Sequence, residues 1–209
     1  ERDALSPGKY GLKGYNTDYK AFKSVLDSLK KPFHNSAIIL GTGGAAKAVA
    51  YSFKLMNIPY LFVSRTKCDA STILYSNLSE VDFDKYNIIV NATPCGTSGF
   101  KNQLPPFFPF SKLRKSSLLI DLVYNPSVTP LMNECMKYGC VVENGMKMLQ
   151  LQAYLFYRLL DLPTTIIMKR PEARAVRAPS PSTARLKIAP HITDVQRPQR
   201  TRRTAVRGT

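Results

Sequence analysis

Cysteine and histidine are scarce in these 209 residues, with four of the first and two of the second. Cys68, Cys95, Cys135 and Cys140 show neither C-x-x-C spacing nor a disulfide framework, which points to reduced thiols in an intracellular protein. His34 and His191 lie far apart, so no His-based metal site is suggested and no metal is expected. No apolar run reaches the ~20 residues that a membrane-spanning helix needs. Acidic side chains are also few, 14 against 30 Lys and Arg, for a net charge of +16. That excess is uneven. Residues 169–209 hold nine Arg, two Lys and two acids, a charge of +9, and the rest of the chain carries +7. The charge of the body suits a protein that draws in anionic ligands. The basic tail is a route to nucleic acid, but it lacks the interleaved aromatics that stack bases, so no nucleic-acid partner is expected. The expected location is cytoplasmic. A removed targeting segment, plastid or other, stays open because the first residue is Glu1.

What the chain does have is Ala37-Ile-Ile-Leu-Gly-Thr-Gly-Gly-Ala-Ala46. The apolar run over 37–40 reads as a buried strand, and a helical pattern resumes over 45–56. Gly41, Gly43 and Ala46 occupy the set positions of the dinucleotide fingerprint G-x-G-x-x-G/A. Gly41 would turn the chain off the strand, and Gly43 and Gly44 would let a pyrophosphate approach their backbone. Ala46 would let the helix pack closely on the sheet. The positive end of that helix would then face the phosphates. About twenty residues further on, after an expected strand over 60–63, the chain reads Ser64-Arg65-Thr66-Lys67. An NAD-selective site places an acid near this point for the ribose 2′-hydroxyl. Arg65 would instead grip a 2′-phosphate, which favours NADP. A solvated basic turn is the plainer alternative.

The remaining pattern alternates strands and helices. Asn16-Thr17-Asp18 precedes a helix over 18–30, in whose first turn Asp18 on its own reads as a capping acid. Residues 69–84 form a weakly patterned connection with one short helix. Further strands are expected over 86–90, 117–124 and 140–142, and further helices over 129–136 and 144–160. The loop 91–96 leaves the carboxyl end of a strand and should face the cofactor cleft. The Pro- and Phe-rich stretch 100–110 should pack its rings on the sheet edge. Met148, Leu151, Leu155 and Leu159 form one helix face, read as core. After Met168 no period survives, so residues 171–209 read as disordered, and their Arg-rich usage as a foreign or frame-shifted extension.

Taken together, Gly14-Tyr-Asn-Thr-Asp18, Leu40 to Ala46, Ser64-Arg-Thr66, Asn91-Ala-Thr-Pro-Cys-Gly96, Asp121-Leu-Val-Tyr-Asn-Pro126 and Asn144-Gly-Met-Lys-Met-Leu-Gln-Leu-Gln152 resemble the shikimate dehydrogenase family, in family order. The resemblance implies an α/β fold: a Rossmann-like doubly wound parallel sheet in the order 3-2-1-4-5-6, with flanking helices from an incomplete second α/β domain. It divides the chain into a substrate-domain remnant and linking helix (1–35), an NADP-binding domain (36–143), a helix returning to the substrate domain (144–168) and the basic tail (169–209). The implied activity is NADPH-dependent reversible reduction of 3-dehydroshikimate to shikimate, in aromatic amino-acid and chorismate biosynthesis.

By the same resemblance, Asp18 is the catalytic carboxylate, pairing with a lysine, and Asp18, Tyr124 and Gln152 contact substrate. Gly41, Thr42, Gly43, Gly44 and Ala45 would hold the pyrophosphate, and Ser64, Arg65 and Thr66 the 2′-phosphate. Leu122 and Gly145 would lie at the nicotinamide end. Ser64 stands where the family usually has Asn. The family's first domain, with its serine pair, catalytic lysine and asparagine, has no counterpart in residues 1–13, so the chain alone is expected to be inactive. The expected partner is a small-molecule substrate, with a homo-oligomer or a fusion to another shikimate-pathway domain as further options and no membrane. The alternatives are a catalytically silent NADP-binding module, a quinate/shikimate dehydrogenase, and a nucleic-acid binder acting through the tail.

Overall fold

Short apolar segments bounded by glycine and proline become the strands of one sheet. The computed structural model describes residues 14–66, 70–100 and 103–160. The expected disordered tail lies outside these residues, as do Lys67 and Cys68. In chain order the elements are α1 (Asp18–Leu29), β1 (Ala37–Leu40), α2 (Gly44–Leu55), β2 (Tyr60–Ser64), β3 (Thr72–Leu74), β4 (Ile88–Asn91), β5 (Leu118–Asp121), α3 (Pro130–Lys137), β6 (Val141–Glu143) and α4 (Met146–Leu159). Single 3₁₀ segments at Tyr75–Glu80 and Phe110–Lys112 complete the described part.

All six strands run parallel, in the order β3-β2-β1-β4-β5-β6. This is the Rossmann-like doubly wound sheet that the sequence predicts. Its switch point lies between β1 and β4, from whose carboxyl ends the chain runs on to opposite halves of the sheet. β1, β4 and β5 are buried at every position, as a parallel sheet covered on both faces requires. The chain's period of two divides their residues between two cores. Ile39, Val90 and Ile120 face Phe22, Val25 and Leu26 of α1 and Val49 and Phe53 of α2. Ile38, Leu40, Ile89 and Leu119 face Leu131 and Met132 of α3, with Leu78, Phe83 and Phe108 from the connections.

The helices at the two ends of this region lie together. Met148 of α4 is buried in the same core as α1, with Leu151 and Leu155 packed against it, and Lys147 Nζ donates to Ser28 Oγ at 3.0 Å. Leu159, expected on that face, is 40% exposed and lines an open cleft with Tyr15, Thr17 and Lys20 at the start of α1. α1 buries its apolar side with α2 against the sheet, whereas α4 buries only Met148 and leaves Leu149 and Phe156 exposed. Residues 69–84, read as a connection with one short helix, also contain the three-residue edge strand β3. A strand of that length carries no legible alternation. The strand expected over 117–124 ends at Asp121, where the chain leaves the sheet for a loop.

Local capping sets these boundaries. Thr129 accepts from the Met132 amide at 3.2 Å and Pro130 stands at the first helical position, which starts α3 sharply. His34 is buried; its Nδ1 accepts the Lys31 amide at 2.9 Å and its Nε2 donates to Ser116 O at 2.7 Å, tying the entry to β1 to the entry to β5. Cys95, Cys135 and Cys140 are free thiols, the last two buried. Among the described residues, no helix is long and apolar enough to cross a membrane and no group of acids, histidines and cysteines is arranged to hold a metal.

Candidate cofactor and substrate site

The glycine loop leaves β1 at Gly41, whose φ of +99° lies in the left-handed region. A Cβ there would also meet Ala92 O and Thr93 Cγ2, both at 3.2 Å, so the loop is pressed against the segment that follows β4. Gly43 and Gly44 have open space where a side chain would stand. Helix α2 begins at Gly44 with no side-chain cap and no acid in its first turn. Its first amides therefore point outward from a positive helix end, an arrangement that fits a phosphate or pyrophosphate. Ala46 is fully buried between α2 and the sheet.

Beside this loop lies a cleft of about 650 Å³ lined by Gly41, Thr42 and Gly43, by Ser64 and Arg65 at the end of β2, and by Ala92 to Cys95 after β4. Tyr75, Phe100, Gln103, Leu104 and Pro106 form its outer wall. Ser64 Oγ accepts the Thr66 amide at 3.3 Å, which folds the turn so that Arg65 comes forward. Arg65 is exposed and enters none of the three ion pairs among the described residues. Burial pushes the Tyr75 hydroxyl up to about 12, so it stays a neutral hydrogen-bonding group.

A second cleft, of about 460 Å³, shares Ala92, Thr93 and Pro94 with the first and is otherwise lined by Ala45, Thr97, Ser98, Leu122, Val123, Tyr124 and Asn125. Gly145 sits behind it. A Cβ on Gly145 would meet Leu122 O at 2.1 Å, so only glycine lets α4 start this close to the 122–124 loop. Further along the α1–α4 seam, Gln152 Nε2 donates to Asp18 Oδ1 at 2.9 Å. Asp18 does not cap its own helix. Asn16 Oδ1 takes the Asp18 and Tyr19 amides at 2.9 and 3.3 Å, which leaves the Asp18 carboxylate to face Gln152.

No family model matches the chain. The shikimate dehydrogenase (NADP⁺) of Clostridium botulinum strain 657 is 33% identical over 151 residues, covering 68% of this chain and 58% of that protein. The enzyme of the same name from Archaeoglobus fulgidus is 33% identical over 178 residues, covering 78% of this chain and 65% of its own length. The chain belongs to the shikimate dehydrogenase family. The crystal structure of shikimate 5-dehydrogenase from Thermus thermophilus, in complex with NADP(H) and shikimate, matches 75% of this chain and 59% of its own with a TM-score of 0.61 at 26% identity. The chain thus spans about three-fifths of the length of the shikimate dehydrogenases it resembles.

Of the residues singled out in the shikimate dehydrogenase motifs, the structure brings Gly41, Thr42, Gly43, Ser64 and Arg65 to the first cleft and Ala45, Leu122 and Tyr124 to the second. Gly44 opens α2 and Thr66 lies on the turn beside the first, Gly145 behind the second, and Asp18 and Gln152 pair on the α1–α4 seam. Tyr75 was missed, since its 3₁₀ segment follows a strand too short to read. Phe100 and Leu104 were missed as well. The Pro- and Phe-rich loop does bury Phe108, but Phe100 and Phe107 are 43% and 73% exposed, and Phe100 stands at the cleft instead of on the sheet edge. The placing of 92–95 beyond the carboxyl end of β4 was the signal that did find its segment.

Proposed function

We propose that the chain is the cofactor-binding part of an NADP-dependent shikimate dehydrogenase, interconverting 3-dehydroshikimate and shikimate. One observation carries this reading: the uncapped start of α2 opens beside Arg65, which stands where an acid would select NAD. Gly41 to Ala45 cradle the pyrophosphate, and Arg65, with Ser64 and Thr66, takes the 2′-phosphate in charge-assisted hydrogen bonds. Leu122 and Gly145 bound the nicotinamide end, and Tyr124, Gln152 and Asp18 contact the substrate.

When bound, NADPH supplies a hydride to the ketone carbon. The carbonyl oxygen gains a proton as the C–O π bond opens, so a positioned acid is needed. Asp18 serves as the partner that holds a lysine ammonium at that oxygen. Among the described residues its carboxylate is hydrogen-bonded to Gln152 and not to a lysine, and we place that lysine in the part of the relatives that this chain does not match.

The test is a pair of dissociation constants with a pair of assays. Arg65→Ala should weaken NADP by about 1.5–3 kcal/mol and leave NAD nearly unchanged. Equal losses for both cofactors would remove Arg65 from the site. Shikimate oxidation should be absent from the chain alone, appear on mixing with a separately expressed first domain of a relative, and vanish again with Asp18→Ala. Turnover by the chain alone would overturn the account of the lysine.

A further inference from the structure

Behind the two clefts lies a buried carboxylate that touches neither. Asp121 ends β5, is fully buried, and stands in register with Asn91 at the end of β4. Its Oδ1 accepts Asn91 Nδ2 at 2.9 Å and the Val123 amide at 3.1 Å, and its Oδ2 accepts the Thr129 hydroxyl at 2.7 Å. Burial pushes the Asp121 carboxyl above its usual range, and the bonds from Thr129, Val123 and Asn91 pull it back.

The polarity of this network is fixed from outside. Asn91 Oδ1 accepts both the amide and the hydroxyl of Thr93, at 3.1 and 2.6 Å, so its amide nitrogen must face Asp121. Thr129 Oγ1 already accepts the Met132 amide, so its proton also goes to Asp121. Donors thus converge on one acceptor from three sides. Two of the three come from the cleft walls: Asn91 leads into Thr93 and Pro94, which line both clefts, and Val123 belongs to the 122–124 segment that lines the second. Thr93 in turn presses on Gly41, and Leu122 O on Gly145.

We infer that Asp121 is a positioning residue for the cofactor site, holding the Thr93–Pro94 wall through Asn91 and the 122–124 wall through the Val123 amide. The inference rests on the NADP reading above. Its effect reaches the ligand through wall geometry alone, since no Asp121 atom is exposed. Removing the carboxylate takes the shared acceptor Oδ1 away from Asn91 Nδ2 and the Val123 amide together, so both walls must relax.

The experiment compares NADP dissociation constants of the full chain and its variants, each at the same interval below its own Tm. Asp121→Ala should bind NADP roughly tenfold more weakly, as for loss of one hydrogen bond to a charged group. Val142→Ala, which opens a core away from the clefts, should bind as the wild type does. Asn91→Ala cuts the link from the other end, should weaken NADP comparably, and its loss should not add to that of Asp121→Ala. Equal binding by Asp121→Ala and wild type, equal loss in Val142→Ala, or additive losses would each overturn the inference while leaving the NADP reading intact. Should Asp121→Ala fail to fold, an Asn91→Ala chain that binds normally overturns it instead. A wild-type chain that does not bind NADP overturns both.

Discussion

One face of the sheet is roofed by helices and the other largely by loops. On the first, α1, α2 and α4 lie over Ile39, Val90 and Ile120, and Phe22 and Phe53 meet edge to face, ring centroids 5.5 Å apart, with no exposure at all. On the second, α3 is the single α-helix among the described residues, and the rest of the cover is rings such as Phe83 and Phe108, 6.0 Å apart and held by irregular chain. Regular cover spends its backbone hydrogen bonds on itself. Irregular cover leaves backbone and side chains to turn toward the strand ends, and Tyr75, Phe100, Gln103 and Leu104 of the cleft wall come from it. One face holds its core under helices, and the other supplies much of the outer binding wall.

That division breaks first, if it is wrong, in the core. Phe53→Ala should cost about 3–5 kcal/mol in denaturant unfolding, and Phe108→Ala distinctly less, because its loop surroundings can collapse into the space. Equal costs would mean that the loop face is as rigid as the helical one. Arg65→Ala, next in size, should take about 1.5–3 kcal/mol from NADP affinity and nothing measurable from unfolding. A drop in Tm would show that the exposed turn also holds β2 in place.

A subtler test uses pH on the helical face. Glu143 shares its sheet row with Ile120, is 8% exposed, and its Oε2 has no partner. Burial pushes its carboxyl above the usual 4.5, with Lys147 pulling against it. An acid with a raised folded pKa stabilises the fold fully below 4.5 and loses that contribution as the pH rises through the folded value. Glu143→Gln should therefore flatten the fall in Tm between that pH and neutrality, with its advantage over the wild type growing as the pH rises. A variant whose Tm tracks the wild type at every pH would show that the carboxylate is solvated. The smallest effect belongs to the exposed Lys23–Asp27 pair on α1, 2.7 Å apart, where Lys23→Ala should cost about 0.5 kcal/mol or less.

Legibility in the sequence follows the same divide. Strands buried on both faces, such as 37–40 and 88–91, announce themselves as apolar runs. The glycine loop is readable because each glycine answers a separate steric demand, one on the chain's own turn and two on the space beside it. The edge strand β3 is unreadable, for three residues cannot show a period. Asp18 is ambiguous in sequence because a first-turn acid serves a helix whether or not it serves a ligand. Only the placing of the Asn16 side chain, which does the capping, frees it. Asp121 opens one of the motifs, but its role is not legible there, since that lies in which donors converge on it in the fold.

The approach of Gly145 to the Leu122 carbonyl has a consequence for inheritance. Every missense change in a glycine codon adds at least one carbon, and here the first of them would fall 2.1 Å from a backbone oxygen that cannot step aside. Genetic drift at this codon therefore has nowhere to go. In a library of all single substitutions, position 145 should be a blank column, while Gly43 and Gly44, with empty space beside them, should fill with small residues whenever selection is for folding alone.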